Sequence, residues 1–196
     1  MKRMLQLLVT AAIAAAPTAA DAAVTIVINN AGADVVLGAS GSFDRSAATA
    51  IGQSPSFASA VNPGAGYVGL GTAGGVTLFS LTGPGNFGAG GQTALTNATG
   101  SAIGLNAAAS TFFIANGYAS NEQITSIGRI ANVTLASLGL RPGSYNFAVG
   151  GNAVSISVIQ YDAPIVPEPA SWALMIAGLG AVGGALRRRK ARVAFS

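Results

Sequence analysis

Two apolar runs with a period of two, Tyr145, Phe147, Val149 and Val154, Ile156, Val158, stand on either side of Gly150-Gly151-Asn152. In an extended chain that period puts each set on one face, with Ser155 and Ser157 on the other, and the glycines supply the positive φ that a tight connection needs. A helix would scatter the same residues around its circumference, so the pattern predicts a β-hairpin with one face committed to a core. Arg141-Pro142-Gly143-Ser144 supplies a turn before it, and Val133 with Leu135 suggests a further strand. Val24, Ile26 and Ile28 predict a first strand, ended by Asn29-Asn30-Ala31-Gly32. Val76–Leu81 and Thr111–Ile114 are further candidates, while Gly83 to Gly104 reads as loops or as thin strands whose glycines let neighbouring chain approach closely. Short strands with frequent turns, in a segment poor in the Leu, Glu, Lys and Arg that build amphipathic helices, predict an all-β fold: a single sandwich or jelly-roll-like domain.

The two ends do not belong to that domain. Lys2 and Arg3 precede an apolar, alanine-rich stretch that stops at Pro17, and Ala20-Asp21-Ala22 then offers the small-x-small pattern accepted by a signal peptidase. Residues 1–22 therefore read as a secretory signal peptide, with Ala20 and Ala22 marking its cleavage. The all-β exported domain is expected over 23–164. At the other end, Ala170 to Leu186 is uncharged and rich in Ala, Gly, Leu and Ile, and Arg187, Arg188, Arg189 and Lys190 follow it directly. This reads as a hydrophobic, marginally membrane-spanning helix with a basic stop-transfer cluster held on the cytoplasmic side, which leaves the folded domain outside the inner membrane.

Charge and composition exclude several kinds of function. Once the targeting ends are set aside, Arg45, Arg129 and Arg141 face Asp34, Asp44, Glu122 and Asp162, a net charge of −1 over 23–164. The basic footprint of a nucleic-acid binder is missing. The same stretch has no His, Cys or Lys. Ser-His and Cys-His pairs, Ser-Lys dyads, imidazole or thiolate metal sites and the phosphate-binding lysine of a P-loop are all ruled out. The four carboxylates have no spacing that recommends an acid/base pair or a calcium loop, and read as solvated surface groups. The expectation is therefore no catalysis, no cofactor and no metal. Sugar stacking would need exposed aromatics: Tyr145 and Phe147 fall in the core-facing pattern, whereas Tyr67 and Tyr118, each beside a glycine, are candidates for exposure.

The order Pro167-Glu168-Pro169, two residues, Trp172-Ala173, Leu174-Met175-Ile176, Gly178-Leu179-Gly180 and then an arginine cluster resembles the PEP-CTERM sorting signal, in the variant with Trp-Ala two residues after the motif. The likeness covers about Val166 to Lys190 within an expected sorting region of 165–196. Two prolines around the glutamate fix φ and keep the segment extended, a form that a processing enzyme can seize. The resemblance implies processing by an exosortase of Gram-negative bacteria, with Pro167, Glu168, Pro169 and Trp172 as the sorting motif. It further implies transient residence in the inner membrane, a membrane-anchored precursor, and a destination at the cell surface or in a biofilm matrix, where exopolysaccharide is the further partner. Leu138-Gly139-Leu140-Arg141-Pro142-Gly143-Ser144-Tyr145 also looks like the "Leu-Gly-Leu, turn, Gly-Thr-Tyr" segment before the last hairpin of many proteins with this signal, though the following turn lacks an acidic residue. These observations together predict a structural or adhesive exported protein. A glycan-binding, lectin-like module and a permanently anchored periplasmic domain stand as the alternatives.

Overall fold

The computed structural model describes residues 22–161 and 169–188. The chain divides into two units, Met1–Gln160 and Tyr161–Ser196. The first is a two-sheet β-sandwich, in agreement with the all-β expectation. Its strands are β1 (Ala23–Ala31), β2 (Asp34–Gly41), β3 (Ala50–Ser54), β4 (Ala60–Asn62), β5 (Tyr67–Leu70), β6 (Val76–Ser80), β7 (Thr93–Ala94), β8 (Asn97–Gly100), β9 (Ile103–Asn106), β10 (Thr111–Ala115), β11 (Ile124–Ile130), β12 (Gly143–Val149) and β13 (Asn152–Ile159). One sheet has six strands in the order β12-β13-β1-β2-β11-β8; the other has seven, β3-β6-β10-β9-β5-β4-β7.

The hairpin expected from the two apolar runs is β12 and β13, paired from Gly143↔Val158 to Val149↔Asn152 across the Gly150-Gly151 turn. Gly150 takes φ +59°, and a Cβ there would meet the Ala47 carbonyl oxygen at 2.0 Å. Glycine is required at that position both by conformation and by space. The first strand, β1, buries Val24, Ile26 and Ile28 as expected, but it runs on through Asn29, Asn30 and Ala31. Its turn is Gly32-Ala33, with Gly32 at φ +65°, so that Ala31 pairs with Asp34. The polar Asn pair is accommodated because cross-strand hydrogen bonding uses the backbone, whatever the side chain.

Val133 and Leu135 do not form a strand. They lie in a run of turns between β11 and β12, where Leu135, Leu138 and Leu140 plug the core from a loop. The strand of this region is β11, which buries Ile124, Ser126, Gly128 and Ile130 and turns Thr125, Ile127 and Arg129 outward. From Gly83 to Gly104 the chain forms loops followed by thin strands, and close approach is visible there: a Cβ on Gly90 would sit 1.7 Å from the Leu138 carbonyl oxygen.

The core lies between the sheets. β1, β2 and β13 contribute Ile26, Ile28, Leu37, Val154 and Ile156 from one side, and the facing sheet contributes Val61, Val68, Leu70, Leu105, Phe112 and Ile114. Phe43 packs against Phe79 and Phe112 with ring centroids 5.0 and 4.9 Å away. The first and last strands, β1 and β13, are parallel neighbours inside the six-stranded sheet, in register from Ala23↔Ala153 to Asn29↔Ile159.

The second unit contains one helix, α1 (Pro169–Arg188), of 20 residues. Leu174, Met175, Ile176, Leu179 and Val182 are exposed on it. The expectation of a transmembrane helix is corrected here: among the described residues, no helix is long and apolar enough to cross a membrane. The uncharged run from Ala170 to Leu186 falls short of the about 20 residues that a span needs, and the last two helical positions are Arg187 and Arg188.

Candidate functional site

The sequence singled out a sorting segment, four carboxylates and a few tyrosines. Pro167 and Glu168 of the sorting motif lie outside the described residues, as do Arg189 and Lys190 of the basic cluster and Ala20 at the signal end. Pro169 is the first residue of α1, where its missing N–H costs no helical hydrogen bond and its fixed φ suits the first turn. Trp172 falls in that first stretch of helix, and Arg187 and Arg188 end it. Ala22 is buried at the entry to β1, and its carbonyl oxygen accepts from the Ala153 N–H at 3.3 Å.

The carboxylates have structural partners. Asp34 pairs with Arg129 at 2.5 Å and accepts from the Asn132 N–H. Asp44 caps the short helical turn at Arg45–Ala47, accepting from the Ser46 N–H, the Ser46 hydroxyl and the Ser120 hydroxyl. Hydrogen bonds from the Ser46 side chain first, then from Ser120, hold the Asp44 carboxyl below its usual range. Glu122 accepts from the Ala119 N–H, so Asp44 and Glu122 both brace the 118–122 loop. Asp162 lies outside the described residues. Among the described residues, no three His, Cys, Asp or Glu side chains gather as a metal site would require.

Tyr118 is not the exposed sugar platform that its neighbouring glycine suggested. It is buried, with its hydroxyl accepting from the Phe43 N–H at 2.9 Å and donating to the Glu122 carbonyl. Burial raises its pKa, and the Glu122 charge adds to the effect. Tyr145 packs at the core margin, as its position in the pattern predicts, and its hydroxyl reaches back to the Arg141 carbonyl at 2.9 Å. That link ties the Leu138–Tyr145 turn to the last hairpin, in the manner of a tyrosine corner.

Tyr67 is different. It is half-buried on the outer face of the seven-stranded sheet, and its hydroxyl is engaged with both the N–H and the carbonyl of Ala58. Burial pushes its pKa up. Strand register explains its surroundings. Asn62 pairs with Tyr67, Tyr67 with Asn106, and Asn106 with Thr111, so four strands set these residues in one row on the face away from the core. Two residues along, Gly69, Gly104, Phe113 and Leu78 make the next row. A Cβ on Gly104 would lie 2.5 Å from the Phe113 ring, and one on Gly69 would lie 3.1 Å from the Phe57 ring. The two glycines thus form a floor over which aromatic rings lie.

The Tyr67 and Phe113 rings stack at 5.9 Å with planes 26° apart, and Phe57 joins Phe113 at 5.4 Å. Together with Val76 and Leu78 they build a second, outer apolar cluster, separate from the main core. A cleft of about 400 Å³ opens over it. Sequence reasoning identified Tyr67 as a candidate but missed Phe57, Phe113, Asn62 and Asn106. The Phe112-Phe113 pair gives no sign of which ring points outward, and the amides acquire meaning only through the register.

The fold and this geometry define an all-β domain followed by a separate helical tail. Comparison with known proteins then identifies the tail: the PEP-CTERM protein-sorting motif matches residues 166–190, consistent with a PEP-CTERM sorting-domain protein. The match supports an exported protein directed to an exosortase and processed at the membrane. Neither the curated proteins nor the solved structures contain a match.

Proposed function

We propose that this is a cell-surface or extracellular-matrix protein with a structural or adhesive role, cut by an exosortase near Pro167-Glu168-Pro169 after signal peptidase has removed the N-terminal segment. The observation that carries the reading is the sorting motif at 166–190, joined to a domain without His, Cys or Lys. A chain so lacking in proton carriers is suited to packing and contact rather than to turnover. The ion-paired or hydrogen-bonded state of Asp34, Asp44 and Glu122 supports the non-catalytic reading, because each carboxylate is already occupied in bracing loops.

The test is a motif variant. Glu168→Ala, expressed in the native cells, is expected to accumulate as an unprocessed, membrane-associated precursor while the wild-type chain reaches the surface or medium. Normal processing and release of the variant would remove the exosortase from the account.

A lectin-like contribution to adhesion is favoured by one specific observation, the aromatic cleft on the seven-stranded sheet, where rings and side-chain amides meet in adjacent rows.

A further inference from the structure

From the outer face of the seven-stranded sheet we infer that the cleft over Phe57, Tyr67 and Phe113 is a binding site for an uncharged oligosaccharide of hexopyranose units. The inference rests on the adhesive reading above and names its partner class. Three features of the cleft carry it.

The first is the aromatic floor. A pyranose ring presents a patch of C–H groups that sits flat on an aromatic face, where the ring's negative quadrupole meets the polarised hydrogens. Phe57 and Tyr67, both half-buried, present ring surface at the cleft, and the buried Phe113 ring backs them at 5.4 and 5.9 Å over the Gly69 and Gly104 positions. The Tyr67 ring is locked in place because its hydroxyl is held by the Ala58 backbone. A platform already fixed loses little side-chain entropy when a sugar lands on it.

The second is the row of donors beside that floor. Asn62 and Asn106 flank Tyr67 in register on either side. Each has its Oδ1 accepting a backbone N–H three residues on, from Ala65 and Ala109 respectively. These caps fix both amide planes and leave each Nδ2 group without a partner among the described residues. Gln92 lines the same cleft, is exposed, and makes no hydrogen bond to the described residues. Oriented amide N–H groups next to an aromatic face match sugar hydroxyl oxygens, which accept such bonds, while a purely aliphatic guest would leave them unsatisfied.

The third is charge. Among the described residues, no Asp, Glu, Lys or Arg lines the cleft. A uronate or sulfated glycan would bring anions to a site with no cation to receive them, and burying an unpaired charge is costly. The chemistry therefore selects a neutral glycan over an acidic one.

The experiment uses the full exported chain, purified as the cells release it. It measures retention on immobilised neutral polysaccharides (β-glucan, mannan and galactan) against alginate as the acidic control. The expected result is retention on at least one neutral matrix and none on alginate. Phe57→Ala is expected to weaken that retention about tenfold, the equivalent of one lost aromatic contact. Gln92→Ala, at an exposed position without a structural bond, is expected to weaken it by a smaller factor with no change in thermal unfolding. Lack of retention on every neutral matrix overturns the proposal, as does retention on alginate equal to that on the neutral ones. So does a Phe57→Ala, Gln92→Ala double variant that stays folded and binds as the wild type does. Because the mass and location of the chain are read separately, failure of glycan binding and failure of exosortase sorting are distinguishable.

Discussion

At the scale of single residues, two tyrosine hydroxyls that look alike in sequence carry different loads. Tyr118 bridges the Phe43 N–H and the Glu122 carbonyl from within the fold, whereas the Tyr145 hydroxyl meets the Arg141 carbonyl at an exposed site. Tyr118→Phe leaves a buried N–H without its acceptor and is expected to cost about 1–3 kcal/mol, while Tyr145→Phe should cost about 0.5–1.5 kcal/mol. Urea unfolding of the two variants checks the ordering. The same residue scale sets the pH response. The Asp44 pKa is lowered on folding, so its contribution is complete above about pH 4, the ordinary carboxylate value, and is lost as pH falls through the depressed folded value. The Tyr118 pKa is raised, so its contribution is complete below about pH 10 and is lost as pH rises through the folded value. Thermal unfolding followed across pH should fall away at both ends, and Asp44→Asn should flatten the acid limb while leaving the alkaline one.

At the scale of elements, the β12–β13 hairpin depends on Gly150. Gly150→Ala forces a side chain into the left-handed region, which costs about 1–3 kcal/mol, and also drives a Cβ against the Ala47 carbonyl. A fall in thermal midpoint well beyond that of Gly91→Ala, where no atom lies within 4 Å of the added Cβ, is the expected outcome in a melting comparison. This hairpin was readable in advance because Tyr145, Phe147, Val149, Val154, Ile156 and Val158 alternate without interruption. β11 was not readable, although it alternates perfectly in the structure, because its inward set includes Ser126 and Gly128 while the apolar Ile127 faces outward. Gly128 is needed there for the Leu95 and Leu70 side chains to pass, a tertiary demand with no local trace. Val133 and Leu135 misled in the opposite sense, since a buried loop can be as apolar as a strand. The cleft was legible only through Tyr67; the amides that surround it became visible once pairing set Asn62 and Asn106 on either side of that ring.

At the scale of the whole molecule, the first and last strands of the sandwich are parallel neighbours, so the six-stranded sheet closes only when residues as far as Ile159 are available beside β1. The start of β1 at Ala23 and the end of β13 at Ile159 therefore lie at opposite ends of one parallel strand pair. Long-range pairing of this kind slows folding, because loop-closure entropy is lost before the non-local contacts form. The central claim, an exported domain trimmed at both ends, is tested most directly by the intact mass of the mature protein from cells with and without an active exosortase. The account predicts loss of about the first 22 residues, as signal cleavage requires, in both strains, and loss of everything beyond the Pro167-Glu168-Pro169 region only where the exosortase is present. A mature chain that keeps Arg187 to Ser196 in the exosortase-active strain would contradict it.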